Sequence, residues 1–567
     1  MATDIVDDVV DDDNDDSTTK LNIPPPPDPP DPDECCGSGC ARCVYDLYEE
    51  QLERYNLMKD KMIQAHQQQK QQRLKDKQQQ EQQQQQEQEN TQQVIAVDVT
   101  LSESLNDGRK VESMSITPED VGLVQVEYVG DATEDTRQPL DGMTMGRFQS
   151  ARLLTSDDSP DVCYHMTITT NDGVDIKYLP GDYINILCPQ DKQDVDRLLK
   201  RLGKSGDTII RLRVGPASAT LFRHLPQHPC TLRDLFTWTL NISFVPPQFF
   251  LLQMVDHCKD ESDRQKLRYL SSQAGKTLYN QTILAHNIRF PTLLTKFKSC
   301  QLPLEFILIN VPAHSIRQYS ISSSPLTLSN TTTTTTIDIT FKLVEKQQKQ
   351  ADCDSTYGLC THWMHRLYKS GESAIIPFAI THSKFHLPSD PLTTPIILIS
   401  TGTGLAPFRS FLHHRKLLYH QQQQQQHGHQ QNGQSSMLGK CLLFFGCRHR
   451  DWDLLYHDEL LEFEREHIIT KLYISYSRES DDTKDINDKK RYINSHVEEC
   501  GELIYGLVTN HQGVIYVCGN SNGIGKSANE SLIKIIKRYA KVGSNDEAME
   551  ILSSWTKNSQ YFRDVWS

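Results

Sequence analysis

Residues 395–415 read PIILISTGTGLAPFRSFLHHR, and the order of residue types in this stretch decides the fold. Pro395 to Ser400 is a short apolar run, the pattern of a strand buried on both faces. Thr401-Gly402-Thr403-Gly404 is a turn whose backbone N–H groups are not screened by large side chains. Pro407 then opens a helix that carries Phe408 and Phe411 on one face. Bare N–H donors at the positive end of a helix dipole form an anion site, so Thr403 and Gly404 are candidate phosphate contacts. The spacing G-x-G-x-x-G is absent, because Leu405-Ala406-Pro407 follows Gly404. Taken alone, the loop also reads as a tight turn with no ligand.

Three further segments repeat the theme. CLLFFGCRHRDWDLL (441–455), KLYISYSRES (471–480) and VIYVCGNSNGIG (514–525) are apolar runs that end in small or polar residues. Strands alternating with helices make a parallel sheet. Ligands of such sheets bind outside the carboxyl ends of the strands, which here carry Arg448, Ser477, Arg478 and Asn520. Arg478, Lys490 and Tyr492 form a basic, aromatic-bearing group suited to the 2′-phosphate that separates NADPH from NADH. Ordinary surface charges would look the same in isolation.

Upstream the texture differs. Residues 147–190 alternate apolar and polar, with turn signals at Asn171-Asp172-Gly173 and Pro180-Gly181-Asp182, which predicts antiparallel strands. Residues 190–300 are mostly helical in pattern, and strands return after 305. Low-complexity runs at Thr331 to Thr336 and Gln421 to Gln426 fall between predicted elements, where loops absorb insertions at small cost.

With the elements in place, a family resemblance emerges. RQYSISSSP (317–325), YGLCTHWM (357–364), TGTGLAPFRSF, FFGCR, SYSR, K-x-Y, YVCGN and the closing YFRDVWS (561–567) follow in order. The series resembles the FAD- and NADPH-binding half of the NADPH–haemoprotein (diflavin) reductases, of ferredoxin–NADP reductase type, from about Gly146 to Ser567. SSQAG and YNQTI in the helical stretch match the diflavin enzymes rather than the shorter plant-type ones. The resemblance implies an antiparallel β-barrel FAD domain with a helical insert, then a Rossmann-like parallel α/β NADP-binding domain, α+β overall. It implies that Arg317 neutralises the FAD pyrophosphate and that Tyr319 offers the flavin an aromatic face. Gly358, Leu359, Cys360 and Thr361 would present N–H groups and a hydroxyl to the pyrophosphate. Ser320, Cys518 and Asp564 would orient the nicotinamide for hydride transfer, and Trp566 would stack on the flavin and move aside. Asn494 stands where the family usually has Gln, and Asn520 where many members have Asp. The segment GNSNGIGKSAN lacks the family's usual Met.

The first 145 residues differ in kind. Residues 1–29 are acidic and then Pro-rich, the composition of a disordered tail. Residues 30–60 hold Cys35, Cys36, Cys40 and Cys43, then Tyr45, Tyr48, Leu52 and Tyr55 at helical spacing. This segment resembles the oxidoreductase-like domain. Four close thiolates suit zinc or an iron–sulfur cluster, but C-C-x3-C-x2-C is not a usual zinc spacing, and structural thiols or a redox pair fit equally. Residues 61–145 read as a Gln-rich linker, followed by the FAD domain at 146–390, with its insert at about 195–300, and the NADP(H) domain at 391–567. Nothing before residue 146 has the phosphate loop or the five apolar strands of a flavodoxin-like FMN domain.

The chain has 567 residues, 37% of them hydrophobic, 15 cysteines and a formal charge of -15. That charge gives no reason to expect nucleic-acid binding. The start MATDIVDDVVDDDNDD lacks the basic and apolar regions of a secretory signal, and no apolar run approaches the ~18 residues of a membrane span. A cytoplasmic protein with reduced thiols and no membrane anchor is expected. The expected activity is NADPH-dependent FAD reduction, followed by single-electron transfer to a separate flavodoxin-like, haem or iron–sulfur protein. Two alternatives remain at this point: an assembly or metal- and thiol-binding scaffold with the Cys module as its working part, and a relay in which FAD reduces that module.

Overall fold

The computed structural model describes residues 52, 55–56, 124–131, 142–170, 176–215, 220, 222–327, 334–346, 356–427, 438–479 and 492–566. The chain divides into two compact units, Met1–Met114 and Ser115–Ser567. In the first, Leu52, Tyr55 and Asn56 are helical. The four clustered cysteines and the tail lie outside the described residues.

The second unit contains a barrel, a helical layer and a parallel sheet. The barrel comprises β2 (Thr144–Leu153), β3 (Cys163–Thr169), β4 (Tyr183–Ile186), β7 (Arg317–Ser320), β8 (Thr336–Lys342) and β11 (Ile375–Thr381). All are antiparallel, in the order β7-β4-β11-β2-β3-β8. An antiparallel bridge between Ile321 and Ile339 joins the two edges and closes the barrel. Met166, Ile168, Ile184, Ile186, Ile337 and Ile339 fill its interior with no exposure. Alternation along each strand produces this, since every second side chain points inward.

The helical layer has its own core, built around Phe236, Phe250, Leu267, Phe290 and Ile307. It also contains a small sheet, β1 (Val124–Asp131), β5 (Thr208–Val214) and β6 (Cys230–Thr231), in the order β1-β5-β6. This corrects two sequence readings. β1 falls within residues 61–145, read as linker, and β5 falls within a stretch read as helical. Val124 is buried and Val126 packs against the same core, so β1 belongs to the folded unit.

The parallel sheet runs β14 (Lys471–Tyr476), β13 (Cys441–Cys447), β12 (Ile396–Thr401), β15 (Val514–Asn520) and β16 (Tyr561–Trp566). Every neighbouring pair is parallel. Strand order reverses at β12, which lies between β13 and β15 and so places a ligand crevice at its carboxyl end. The expected strand–turn–helix at 395–415 is present: β12, a 3₁₀ turn over Gly402–Leu405, and a helix over Ala406–His427. Phe408 and Phe411 are fully buried on the expected face. Gln421 to Gln426, expected in a loop, instead continue this helix. Gln is a good helix former and extends a helix already nucleated by buried turns. A further two-stranded ribbon joins β9 (Glu345–Lys346) and β10 (Thr356–Tyr357). Among the described residues, no helix is long and apolar enough to cross a membrane.

Candidate active site

A cleft of about 880 Å³ opens between the barrel and the carboxyl ends of the parallel strands. On the barrel side it is lined by Arg317, Tyr319 and Ser320 of β7 and by Gly358, Leu359, Cys360 and Thr361. On the sheet side it is lined by Gly402, Thr403, Arg448, Ser477, Tyr492 and Trp566, among others. One cavity therefore collects most of the candidates.

Gly358 caps the helix Leu359–Ser370, and its N–H donates to Val344 O at 2.8 Å. The following first-turn N–H groups have no intrahelical acceptors and open on the cleft. A Cβ on Gly358 would lie 2.9 Å from Val344 Cβ and from Thr361 Oγ1. The absence of a side chain therefore lets the chain pass close to Val344 at the edge of the cleft. The Thr361 hydroxyl is engaged internally, accepting from Val344 N–H at 3.2 Å and donating to Gly358 O at 3.3 Å. Arg317 folds onto its own strand, donating to Ser315 O and Ser315 Oγ at 2.6 Å each.

The catalytic candidates meet where the barrel touches the sheet. Ser320 Oγ donates to Asp564 Oδ2 at 3.3 Å, and Cys518 Sγ points at the same oxygen at 3.8 Å. Register explains the second contact, since Cys518 of β15 pairs with Asp564 of β16. Tyr183, paired with Ser320 across β4 and β7, also hydrogen-bonds the Asp564 carboxylate. Burial lifts the Asp564 carboxyl above its ordinary range, and bonds from Tyr183, Ser320 and Cys518 partly offset this. Burial and the neighbouring Asp564 push the Cys518 thiol well up, so it keeps its proton at neutral pH. Sequence reasoning missed Tyr183, whose only signal was its place directly after the Gly181-Asp182 turn. Cys518 and Asp564 do not line the cleft, whereas Trp566, 40% exposed, does.

The nucleotide-side candidates are divided. Arg448 Nη2 pairs with Asp161 Oδ2 at 2.7 Å, while its Nη1 is buried with no hydrogen-bond partner. Ser475 Oγ, also on a cleft-lining residue, is likewise buried and unpartnered. Sequence reasoning passed over Ser475. These two groups fit a ligand rich in oxygen acceptors. Gly404 does not line the cleft; a Cβ there would sit 2.3 Å from Cys518 O, so its bareness serves contact with β15. Arg478 is exposed and, like Asn494 on the helix Ile493–Glu499, lies off the cleft lining. Lys490 lies outside the described residues. Asn520 lines the cleft, and its Oδ1 accepts from Gly523 N–H at 3.0 Å.

Comparison with known proteins agrees with this architecture. Residues 141–363 match the FAD binding domain, residues 398–529 the oxidoreductase NAD-binding domain, and residues 21–64 the N-terminal oxidoreductase-like protein family. Methionine synthase reductase of Bos taurus is 31% identical over 434 residues, covering 70% of this chain and 60% of that protein. Over its FAD- and NAD-binding regions the chain is similar to the diflavin reductases. Methionine synthase reductase of Homo sapiens is 29% identical over 462 residues, covering 75% of this chain and 63% of that protein. NADPH–cytochrome P450 reductase of Musca domestica is 28% identical over 407 residues, covering 71% and 56%. The chain thus spans less than two thirds of the length of these diflavin reductase relatives. The two matched models are those of an FAD-binding domain and of a nicotinamide-dinucleotide-binding domain.

Proposed function

We propose that this chain is an NADPH-dependent flavoprotein reductase that serves a separate protein acceptor. Bound FAD would supply the conversion of a two-electron hydride, taken at N5, into electrons released singly. The observation that carries the reading is the Ser320–Asp564–Cys518 cluster, assembled from barrel and sheet beside a cleft that both domains line.

In this reading the first-turn N–H groups at Leu359, Cys360 and Thr361 hold the FAD pyrophosphate, and Arg317 swings from Ser315 to neutralise it. Tyr319 and Trp566 bracket the ring system. Ser320 holds a hydroxyl proton that Asp564 orients, and the Cys518 thiol packs beside the transferring carbon. Thr403, Arg448, Ser475 and Ser477 bind the NADPH phosphates, and Arg478, Lys490, Tyr492 and Asn494 distinguish the 2′-phosphate. The names of these relatives favour an acceptor such as methionine synthase or a cytochrome P450. A flavodoxin-like, haem or iron–sulfur protein covers the chemistry, in a cytoplasmic setting. The scaffold alternative is not favoured, because it gives no reason for these side chains to converge.

Stopped-flow mixing with NADPH or NADH tests the proposal. Flavin absorbance should bleach with NADPH, and reduced protein should then pass electrons to one member of an acceptor panel, with or without an added flavodoxin. A chain that binds no flavin after refolding with excess FAD overturns it.

A further inference from the structure

In the helical layer, Cys258 and Cys300 face each other across an antiparallel bridge. The flanking bonds fix its type. Lys259 N–H donates to Ser299 O at 3.3 Å, and Gln301 N–H donates to His257 O at 2.8 Å. The ladder bonds therefore sit on either side of the cysteines, which form a non-hydrogen-bonded pair. In such a pair the Cα atoms lie about 4.5 Å apart and the side chains are at their closest. Disulfides span Cα separations of about 4.4–6.8 Å with Cβ atoms turned towards each other. Both thiols also converge on one acceptor: Cys258 Sγ reaches Met254 O at 3.4 Å, and Cys300 Sγ reaches it at 3.8 Å. Each residue is 2% exposed, and neither lines the cleft. Packing accounts for one thiol on a helix-terminal carbonyl; it does not require a second directly opposite.

We propose that Cys258 and Cys300 are a latent disulfide site, closed by a peroxide, that staples the two ends of the helical segment between them. That segment includes the helices Glu261–Ser271 and Phe290–Lys296. The chemistry takes two steps. The Cys258 thiol attacks hydrogen peroxide, giving a sulfenic acid and one water. The Cys300 thiol then displaces the second water, and the S–S bond forms as two thiol electrons pass to each peroxide reduced. Burial raises both thiols, and Cys300 further because Cys258 adds to it, so Cys258 ionises first and is the initial nucleophile. Scarce thiolate makes the reaction slow. Closing the loop restricts the unfolded chain and stabilises the layer.

The test treats the full-length protein with hydrogen peroxide, alkylates the remaining thiols and digests without reduction. Mass spectrometry should find the Cys258 and Cys300 peptides linked, lighter than their sum by two hydrogens. The melting temperature should rise by about 2–4 °C, and dithiothreitol should reverse both changes. Cys258→Ala and Cys300→Ala should each abolish the rise. Recovery of the two peptides unlinked, whether alkylated or over-oxidised to sulfinic acid, overturns the site. Should the alanine variants fail to fold, the linked peptide in the unsubstituted protein still decides. A linked peptide without a thermal shift overturns the staple.

Discussion

Ser320 Oγ and Asp564 Oδ2, 244 positions apart in sequence, are joined by a 3.3 Å hydrogen bond that crosses from the barrel to the parallel sheet. The bond fixes the Ser320 rotamer at the edge of the cleft and gives its proton a direction. Ser320→Ala should slow NADPH-driven flavin bleaching by about 100-fold, the scale of losing one oriented donor. The KM for NADPH should stay within about twofold, because the substitution removes nothing from the phosphate side. Asp564→Asn, which cannot accept from all three donors as a carboxylate does, should fall in the same direction. Single-turnover stopped-flow separates this rate effect from binding.

Trp566 lines the cleft while Asp564 and Cys518, on and beside its strand, do not. In the proposed reading, a nicotinamide that reaches these two groups displaces the indole. Trp566→Ala should therefore lower the apparent Kd for NADP⁺, as measured by titration of the oxidised protein. Tighter binding by about tenfold corresponds to removing roughly 1.4 kcal/mol of displacement cost. Unchanged affinity would mean that the ring does not stand in the way.

Arg448 holds a buried, unpartnered Nη1 beside its ion pair with Asp161. Arg448→Ala should raise the KM for NADPH by roughly 10- to 100-fold, the usual range for a hydrogen bond to a charged group. The bleaching rate at saturating NADPH should change little. Arg448→Lys should recover only part of the affinity, since a lysine cannot reproduce the fork.

Gly404→Ala tests the loop itself. The new methyl would meet Cys518 O at 2.3 Å, a backbone atom that no rotamer change can move away. Overpacking costs ~1–3 kcal/mol where side chains can yield, so a loss at the top of that range is expected. Chemical denaturation should show it, with FAD content falling in parallel.

The junction between barrel and sheet should weaken with acid in two stages. Burial holds His414 down to about 4, so it is neutral when folded. Its unfolded form takes up a proton near 6.5, and stability is lost as pH falls from there towards 4. Burial opposes ionisation of Glu459, but His413 and Arg409 outweigh it and bring the carboxyl down to about 2. That contribution is intact above about 4.5 and is lost as pH falls towards 2, a change on the order of 3 kcal/mol. Melting temperature measured against pH should show both slopes. Glu459→Gln should flatten the second and lower stability at pH 7 by leaving Arg409 without its closest carboxylate.

Four of the five strands of the parallel sheet were legible because each is an apolar run ending in a turn, a signal confined to about fifteen residues; β16, with Arg563 and Asp564 inside it, carried no such signal. The cluster around Asp564 was not legible from the same kind of evidence. Nothing local in RQYS or RDVW says that they touch, and only the order of motifs, read as a resemblance, brought them together. Tyr183 escaped because the residues before it carry a complete explanation of their own. Gly181 has a φ of +102°, and the buried Asp182 carboxylate accepts from Leu179 N–H at 2.8 Å and Ser383 N–H at 3.0 Å. A segment that already reads as a turn offers no reason to look for a catalytic contact one position on. β1 was obscured in another way: its alternation of Val124, Val126 and Tyr128 is short and stands in polar surroundings, while its partner β5 lies more than 75 residues away.

The helix that starts at the Gly402 loop also grips the segment following Ser320. Arg409 Nη1 donates to Ser322 O at 3.0 Å, Ser410 Oγ donates to Ser323 O at 2.6 Å, and His414 Nδ1 lies 3.0 Å from Ser324 Oγ. The helix thus acts as a ruler, with the Gly402–Gly404 turn at its zero mark and the serine run pinned along its first turns. At about 1.5 Å per residue, one residue inserted between Gly404 and Arg409 would rotate the pins by about 100° and slide them off their partners. The Gln run begins seven residues beyond the last pin. Its length can change without altering any spacing that the ruler sets.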